Sequence, residues 1–295
     1  MKEIVIRTIS GIVFCALTLA SLVAVPRSPL LFLILFSFFL LRTDYEYLRL
    51  TMGKGKVGLK VVSLAAALCL FLGVASYALL IGGELYAYIL FSVLLVLVMA
   101  IPAVDLFGGG KLYMSFSLSS LLYVALPFAL LVLVSPGKLY DEDGFWRYFH
   151  PFYDGWKVAS LLIVMWMGDV GAYCIGTAFG QGKRGHKLMP SVSPKKSWEG
   201  VWGAVAISIA TALVLRASGV LLNDYPYWLS ALFGLVICVS SIIGDLVESK
   251  LKRHFQVKDS GRIMPGHGGF LDRFDSGLLA FPAAFLFYIV IFYLP

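Results

Sequence analysis

Polar residues in this chain crowd into short stretches between long apolar runs. A helix needs about 20 mostly apolar residues to cross the hydrocarbon core of a bilayer. On that rule the pattern predicts nine membrane helices, at residues 5–25, 29–48, 59–82, 85–105, 112–135, 157–179, 198–220, 227–250 and 274–294. Lipid offers the backbone no hydrogen-bond partners, so runs of this length read as helix. The second run is the least clean, because Arg42, Asp44 and Glu46 fall in its last turns. The ninth carries Pro282, which membrane helices tolerate better than soluble ones. The first has the basic start of a leader peptide, but it is long enough to span and further spans follow. It is read as a membrane helix and not as a removed segment.

Basic residues between the runs set the orientation. With the N-terminus on one face, that face collects 19 of the Lys and Arg residues and the other face 5. Cytoplasmic loops carry such an excess, so the expectation is N-terminus cytoplasmic and C-terminus outside. Loops 180–197 and 250–273 then share the cytoplasmic face. The longest outer segment, 136–156, combines Asp141, Glu142 and Asp143 with Phe145, Trp146, Tyr148 and Phe152, a composition typical of an interfacial anchor.

Composition agrees with this picture: 60% of residues are hydrophobic and 14% charged, against roughly 45–50% apolar and about 25% charged in soluble domains. The fold class is therefore all-α and polytopic, with five spans in an N-terminal region (1–135) and four in a C-terminal region (136–295). The net charge of +7 sits in loops and does not point to nucleic acid. Cys15, Cys69, Cys174 and Cys238 lie inside apolar runs without metal-ligand spacing and read as small packing residues.

The chemistry concentrates near the end of the chain, where SKLKRHFQVKDSGRIMPGHGGFLDRFD runs from Ser249 to Asp275. Asp245, Glu248 and Lys252 share one helix face. A carboxylate inside a span is costly unless it is paired or binds a cation, so Asp245 belongs either to an ion pair with Lys252 or Arg253 or to a site for a hard cation such as Mg²⁺. Gly266, Gly268 and Gly269 flank His267 and allow a close backbone approach to a ligand. Asp272 and Asp275 open the ninth run, where they either favour the positive end of that helix or join Asp245 at a metal. In the other cytoplasmic loop, Ser193, Pro194, Lys195, Lys196 and Ser197 precede a predicted helix start, a pattern suited to phosphate and also to a plain basic loop. Asp169, near mid-span, reads as part of a polar cavity.

The order Ser249, Lys252–Arg253, Lys258–Asp259, His267–Gly268–Gly269, Asp272–Arg273–Phe274–Asp275 resembles the signature of the phosphatidate cytidylyltransferases, or CDP-diacylglycerol synthases. Gly168–Asp169, the Ser193–Gly200 block and Gly244–Ser249 are similar to that family as well, and together these motifs cover the C-terminal part of the chain. The resemblance implies conversion of CTP and phosphatidate to CDP-diacylglycerol and pyrophosphate in phospholipid biosynthesis. It further implies Mg²⁺ held by Asp245 and Asp272, with a second cation such as K⁺. Glu248 and Asp275 would be supporting carboxylates. Lys252, Arg253, Lys258 and Arg273 would neutralise phosphates, with Asp259 alongside them in the signature. His267, Gly268 and Gly269 would cradle phosphate, Ser193, Lys195, Lys196 and Ser197 would bind the second anion, and Asp169 would line the lipid head-group path. A homodimer in a bacterial inner membrane is the implied setting. The alternative from another class is a transporter or channel for cations or organic phosphates, which predicts an inverted repeat; polar chemistry is confined to one half of this chain.

Overall fold

The computed structural model describes residues 2–25, 28–79, 84–107, 113–136, 153–181, 185–261, 263 and 268–293. Each predicted apolar run is helical there. The first four are α1 (Lys2–Val23), α2 (Leu30–Met52), α3 (Val57–Leu79) and α4 (Glu84–Phe107). The fifth is a rod in three parts: α5 (Met114–Ser120), a π-helical turn at Leu121–Ala125 and α6 (Leu126–Val134). Pro127 has no N–H to donate, and it sits just beyond the turn where the hydrogen-bond ladder has already widened. The remaining helices are α7 (Gly155–Phe179), α8 (Trp198–Ala217), α9 (Tyr227–His254), α10 (Leu271–Phe274) and α11 (Gly277–Tyr293).

Among the described residues, six stretches are long and apolar enough to cross a membrane: Val57–Leu79, Met114–Val134, Gly155–Phe179, Trp198–Ala217, Tyr227–His254 and Leu271–Ile291. Thr8–Val23 and Tyr86–Pro102 are shorter apolar helices. The chain is thus a multi-pass helical membrane protein. Large apolar side chains such as Leu122, Trp202 and Val214 stand exposed on these helices, as lipid-facing positions require.

Three local features depart from the predicted runs. The 180–197 loop holds an antiparallel hairpin of β1 (Lys187–Met189) and β2 (Ser193–Ser197), with Lys187 opposite Ser197 and Met189 opposite Ser193. α9 runs on to His254, past the predicted end at 250, because Lys252, Arg253 and His254 complement the negative end of the helix dipole. The ninth run is broken between α10 and α11, where the Asp275 carboxylate accepts the N–H of Ser276 at 2.6 Å. Most of the segment expected on the outer face, 137–152, lies outside the described residues.

The chain divides into two compact units, Met1–Gly155 with Asp259–Phe274 and Trp156–Lys258 with Asp275–Pro295. The Asp259–Phe274 segment joins the N-terminal helices. In the first unit α2 packs on α1, α3 and α5, and α10 packs on α2. Phe270, Leu271 and Phe274 are buried. Phe274 sits 5.2 Å from Phe39 and 5.1 Å from Phe128, centroid to centroid, and Phe270 sits 5.6 Å from Phe39. These ring contacts anchor the short α10 by its apolar side while Asp272 and Arg273 stay at the edge.

In the second unit α8 packs on α9, and α9 on α11. α7 meets α8 along small residues, as membrane helices do when their backbones approach closely. A Cβ on Gly203 would lie 2.5 Å from Ile175 Cβ and 2.7 Å from the Gly171 carbonyl oxygen. On the other face of α9, a Cβ on Gly244 would lie 2.7 Å from the carbonyl of Asp275. That close approach brings Asp275 to the acidic turns of α9.

Candidate active site

In the second unit, the hairpin and the C-terminal end of α9 are tied together. Lys196 of β2 forms an ion pair with Asp245, whose other oxygen accepts the Ser249 hydroxyl at 3.2 Å. Glu248 is fully buried and pairs with Lys252 at 2.6 Å. Arg253 donates to the carbonyl of Val192 at the hairpin turn (3.4 Å) and to that of Val257 (3.2 Å). Both carboxylates of this helix face are therefore paired with lysines, and Asp245 takes Lys196 from the hairpin in place of Lys252 or Arg253.

The hairpin itself is braced. Lys187 donates to the Gly180 carbonyl (3.1 Å) and to Gln181 (3.0 Å), and Gln181 donates to the Lys195 carbonyl (2.8 Å). His186 contacts Glu199 through its N–H (3.0 Å) and its ring Nδ1 (2.9 Å). Ser197 is buried and caps α8, its hydroxyl accepting the Gly200 N–H at 3.3 Å. Lys195 and Lys258 are exposed, and Ser193 is partly exposed. The loop is thus a built platform that carries cations at its surface, with Ser197 serving as the helix cap.

Asp275 lies near enough to Asp245, Glu248 and Asp169 to be repelled by all three. Lys196 pairs with Asp245 and Lys252 with Glu248. Asp169 is exposed along α7, on the side that faces Cys238 of α9. A cluster of hard carboxylate oxygens suits a divalent cation. No group of three or more His, Cys, Asp or Glu side chains among the described residues is arranged to hold a metal by itself. Mg²⁺ does not require one, since it commonly takes one or two carboxylates and completes its shell with water and substrate phosphates. The residues present fit that mode of binding.

The first unit holds the signature turn. Oδ2 of Asp272 accepts the Gly269 N–H (2.8 Å), the Ser260 N–H (3.0 Å) and the Ser260 hydroxyl (3.0 Å), while Oδ1 takes a longer contact from the Ser260 N–H (3.3 Å). These donors fix the plane of the carboxylate. Gly268 has φ +81, and a Cβ there would lie 2.6 Å from Asp272 Oδ2; glycine is the residue that tolerates both. The Gly269 N–H expected to meet a ligand is directed at Asp272. Asp259 and Arg273 are exposed at the edge of this turn, and His267 lies outside the described residues.

A further carboxylate joins the turn. Glu46 of α2, only 3% exposed, accepts the Ser260 hydroxyl at 2.7 Å and the Leu271 N–H at 3.0 Å. The sequence marks it only as an acidic residue in the last turns of an apolar run, more than two hundred positions from its partners. Ser260 and the His186–Glu199 pair carried no signal of their own. Asp272 and Asp245 belong to different units.

Comparison with known proteins adds a separate line of evidence. A phosphatidate cytidylyltransferase from Mycobacterium bovis is 43% identical over 141 residues, 48% of this chain and 42% of that protein. One from Staphylococcus epidermidis is 46% identical over 120 residues, 41% of this chain and 44% of the relative. One from Bacillus subtilis is 44% identical over 128 residues, 43% and 45% of the two chains. The chain therefore matches under half the length of these curated relatives. The model of the cytidylyltransferase family, by contrast, matches residues 5–292, nearly from end to end, and the chain belongs to that family.

Proposed function

We propose that the chain is a phosphatidate cytidylyltransferase, converting CTP and phosphatidate to CDP-diacylglycerol and pyrophosphate. The observation that carries this reading is the family match over residues 5–292, and the curated relatives bear the name of that reaction. The lysine-rich platform and the acidic turns of α9 suit it chemically.

A phosphate oxygen of phosphatidate attacks the α-phosphorus of CTP. The new P–O bond forms as the bond from the α-phosphorus to the α,β-bridging oxygen breaks, and pyrophosphate leaves with that oxygen. The nucleophile is already anionic, so the protein's task is to bring two anions together and to neutralise charge as it moves to the leaving group. Lys252, Arg253, Lys258 and Arg273 supply positive charge for the triphosphate. Ser193, Lys195 and Lys196 meet the second anion, beside the Ser197 cap of α8, and Asp169 lies on the path of the lipid head group. Asp245 and Asp272 would hold Mg²⁺, with Glu248 and Asp275 in support, and a second cation such as K⁺ would sit nearby. Bound there, Mg²⁺ would supply charge neutralisation for the nucleotide phosphates. Ion pairs such as Lys196 with Asp245 hold these side chains in place in the resting protein, ready to exchange partners when phosphate enters.

The same reading extends to setting. The nine helical runs span the membrane, the N-terminus and the two chemical loops face the cytoplasm, the chain forms a homodimer, and the membrane is a bacterial inner membrane.

Label fate tests the reaction. With CTP labelled at the α-phosphorus and, separately, at the γ-phosphorus, the first label is expected in the lipid and the second in pyrophosphate. Release of the α-label in water-soluble form without any lipid label would overturn the proposal.

A further inference from the structure

Glu46 lies deep in the first unit, and its surroundings are made by the signature turn. A Cβ on Gly261 would come 2.7 Å from Oε1, and one on Gly269 would overlap Oε2 and the Ser260 hydroxyl. The carboxylate thus occupies a slot that only glycine backbone leaves open. A buried ion is a poor stability device, since a packed apolar side chain commonly serves as well. What a buried carboxylate adds is direction: it accepts specified donors and holds them in one arrangement.

The Ser260 hydroxyl stands between two carboxylates, 2.7 Å from Glu46 Oε2 and 3.0 Å from Asp272 Oδ2. A hydroxyl has one proton, so both oxygens compete for it. When positive charge gathers at Asp272, its pull on that proton weakens and Glu46 retains it. Ser260 then stays in place, with its N–H still aimed at Asp272. The Leu271 N–H bond to Glu46 fixes the other side of the turn.

We propose that Glu46 is a positioning residue for Asp272, acting through the Ser260 hydroxyl and the Leu271 N–H to hold Ser260 and the 268–272 segment in one geometry while charge changes at Asp272. This rests on the reading of Asp272 as part of a CTP:phosphatidate transfer site.

The test uses the full chain in detergent and the variants Glu46→Gln, Ser260→Ala and the double variant. Two quantities are measured: amide hydrogen exchange across 259–274, and steady-state kinetics against CTP. For Glu46→Gln, kcat is expected to fall about 10- to 100-fold with the CTP KM within about threefold, the pattern of a lost transition-state arrangement. Exchange across 259–274 is expected to quicken about tenfold, while that of α9 is unchanged. Ser260→Ala is expected to reproduce both effects, and the double variant to fall within about twofold of the worse single, as residues acting through one contact do. A kcat within about twofold of the parent, a loss confined to KM, or faster exchange throughout the chain would each overturn the proposal. Should Glu46→Gln fail to fold, Ser260→Ala decides by the same criteria. Should the parent chain form no CTP-dependent product, the reaction reading falls and exchange alone decides: quickening confined to 259–274 sustains the role of Glu46, and unchanged exchange ends it.

Discussion

Asp272 is held by three donors on one oxygen, and none of them is charged. Replacing it with Asn keeps the shape but puts an amide where the charge stood, so folding is expected to survive while turnover is lost by about 10²-fold or more. The check is kcat beside a thermal melt in the same detergent; a folded Asn variant with parental turnover would remove Asp272 from the site. Lys196 gives a second residue-scale prediction. Its removal leaves Asp245 without its cation and the platform with one positive charge fewer. Lys196→Met is expected to lower kcat/KM for CTP by about tenfold or more, with partial recovery in Lys196→Arg, which restores charge but not shape. At this scale much was legible in advance. A charge inside an apolar run has a cost that demands an explanation, so Asp169, Asp245 and Glu248 stood out; Asp272 stood out by its place beside the glycines at 268 and 269. Glu46 bore the same cost but lay far along the chain from Ser260 and Leu271. Only folding brings the donors that satisfy it.

At the scale of the element, helices were predictable because lipid leaves the backbone no other choice, and each apolar run is a helix in the described residues. The breaks between helices obey finer rules. The hairpin at Lys187–Ser197 depends on side chains stapling it to Gly180 and Gln181, which no periodicity announces. The break at Asp275 depends on Gly244 lying against its carbonyl. The α7–α8 seam is the most exacting packing. Gly203→Val places a Cβ about where Ile175 already stands, and it is expected to destabilise the protein by about 1–3 kcal/mol. Trp202→Leu, on the exposed side of the same helix, is expected to change stability by under about 0.5 kcal/mol. Melting curves of the two variants compare them directly; equal melting temperatures would mean the seam does not hold the unit together.

For the whole molecule, apolar runs and loop charges predict a multi-pass protein with its chemistry on one face. Single cysteines in a cysteine-free background test that orientation. In intact cells, a membrane-impermeant thiol reagent is expected to label a cysteine placed at Asp141 and to spare one placed at Lys195. Labelling in the opposite sense would put the basic platform outside, away from cytoplasmic nucleotide. The sequence did not foretell that Asp259–Phe274 would fold with the N-terminal helices, because its contacts are made by Phe270 and Phe274 with aromatic residues of α1, α2 and α6 and by the Leu271 N–H with Glu46. Periodicity detects a buried face but not the partner that buries it. The most direct measurement is CTP-dependent conversion of phosphatidate by the purified full chain in detergent, with Mg²⁺ and K⁺ present and then with Mg²⁺ chelated. The account predicts lipid product and pyrophosphate in equal amounts, both abolished by chelation. Folded protein that forms neither product under those conditions would contradict it and bring forward a transport function for the same charged residues.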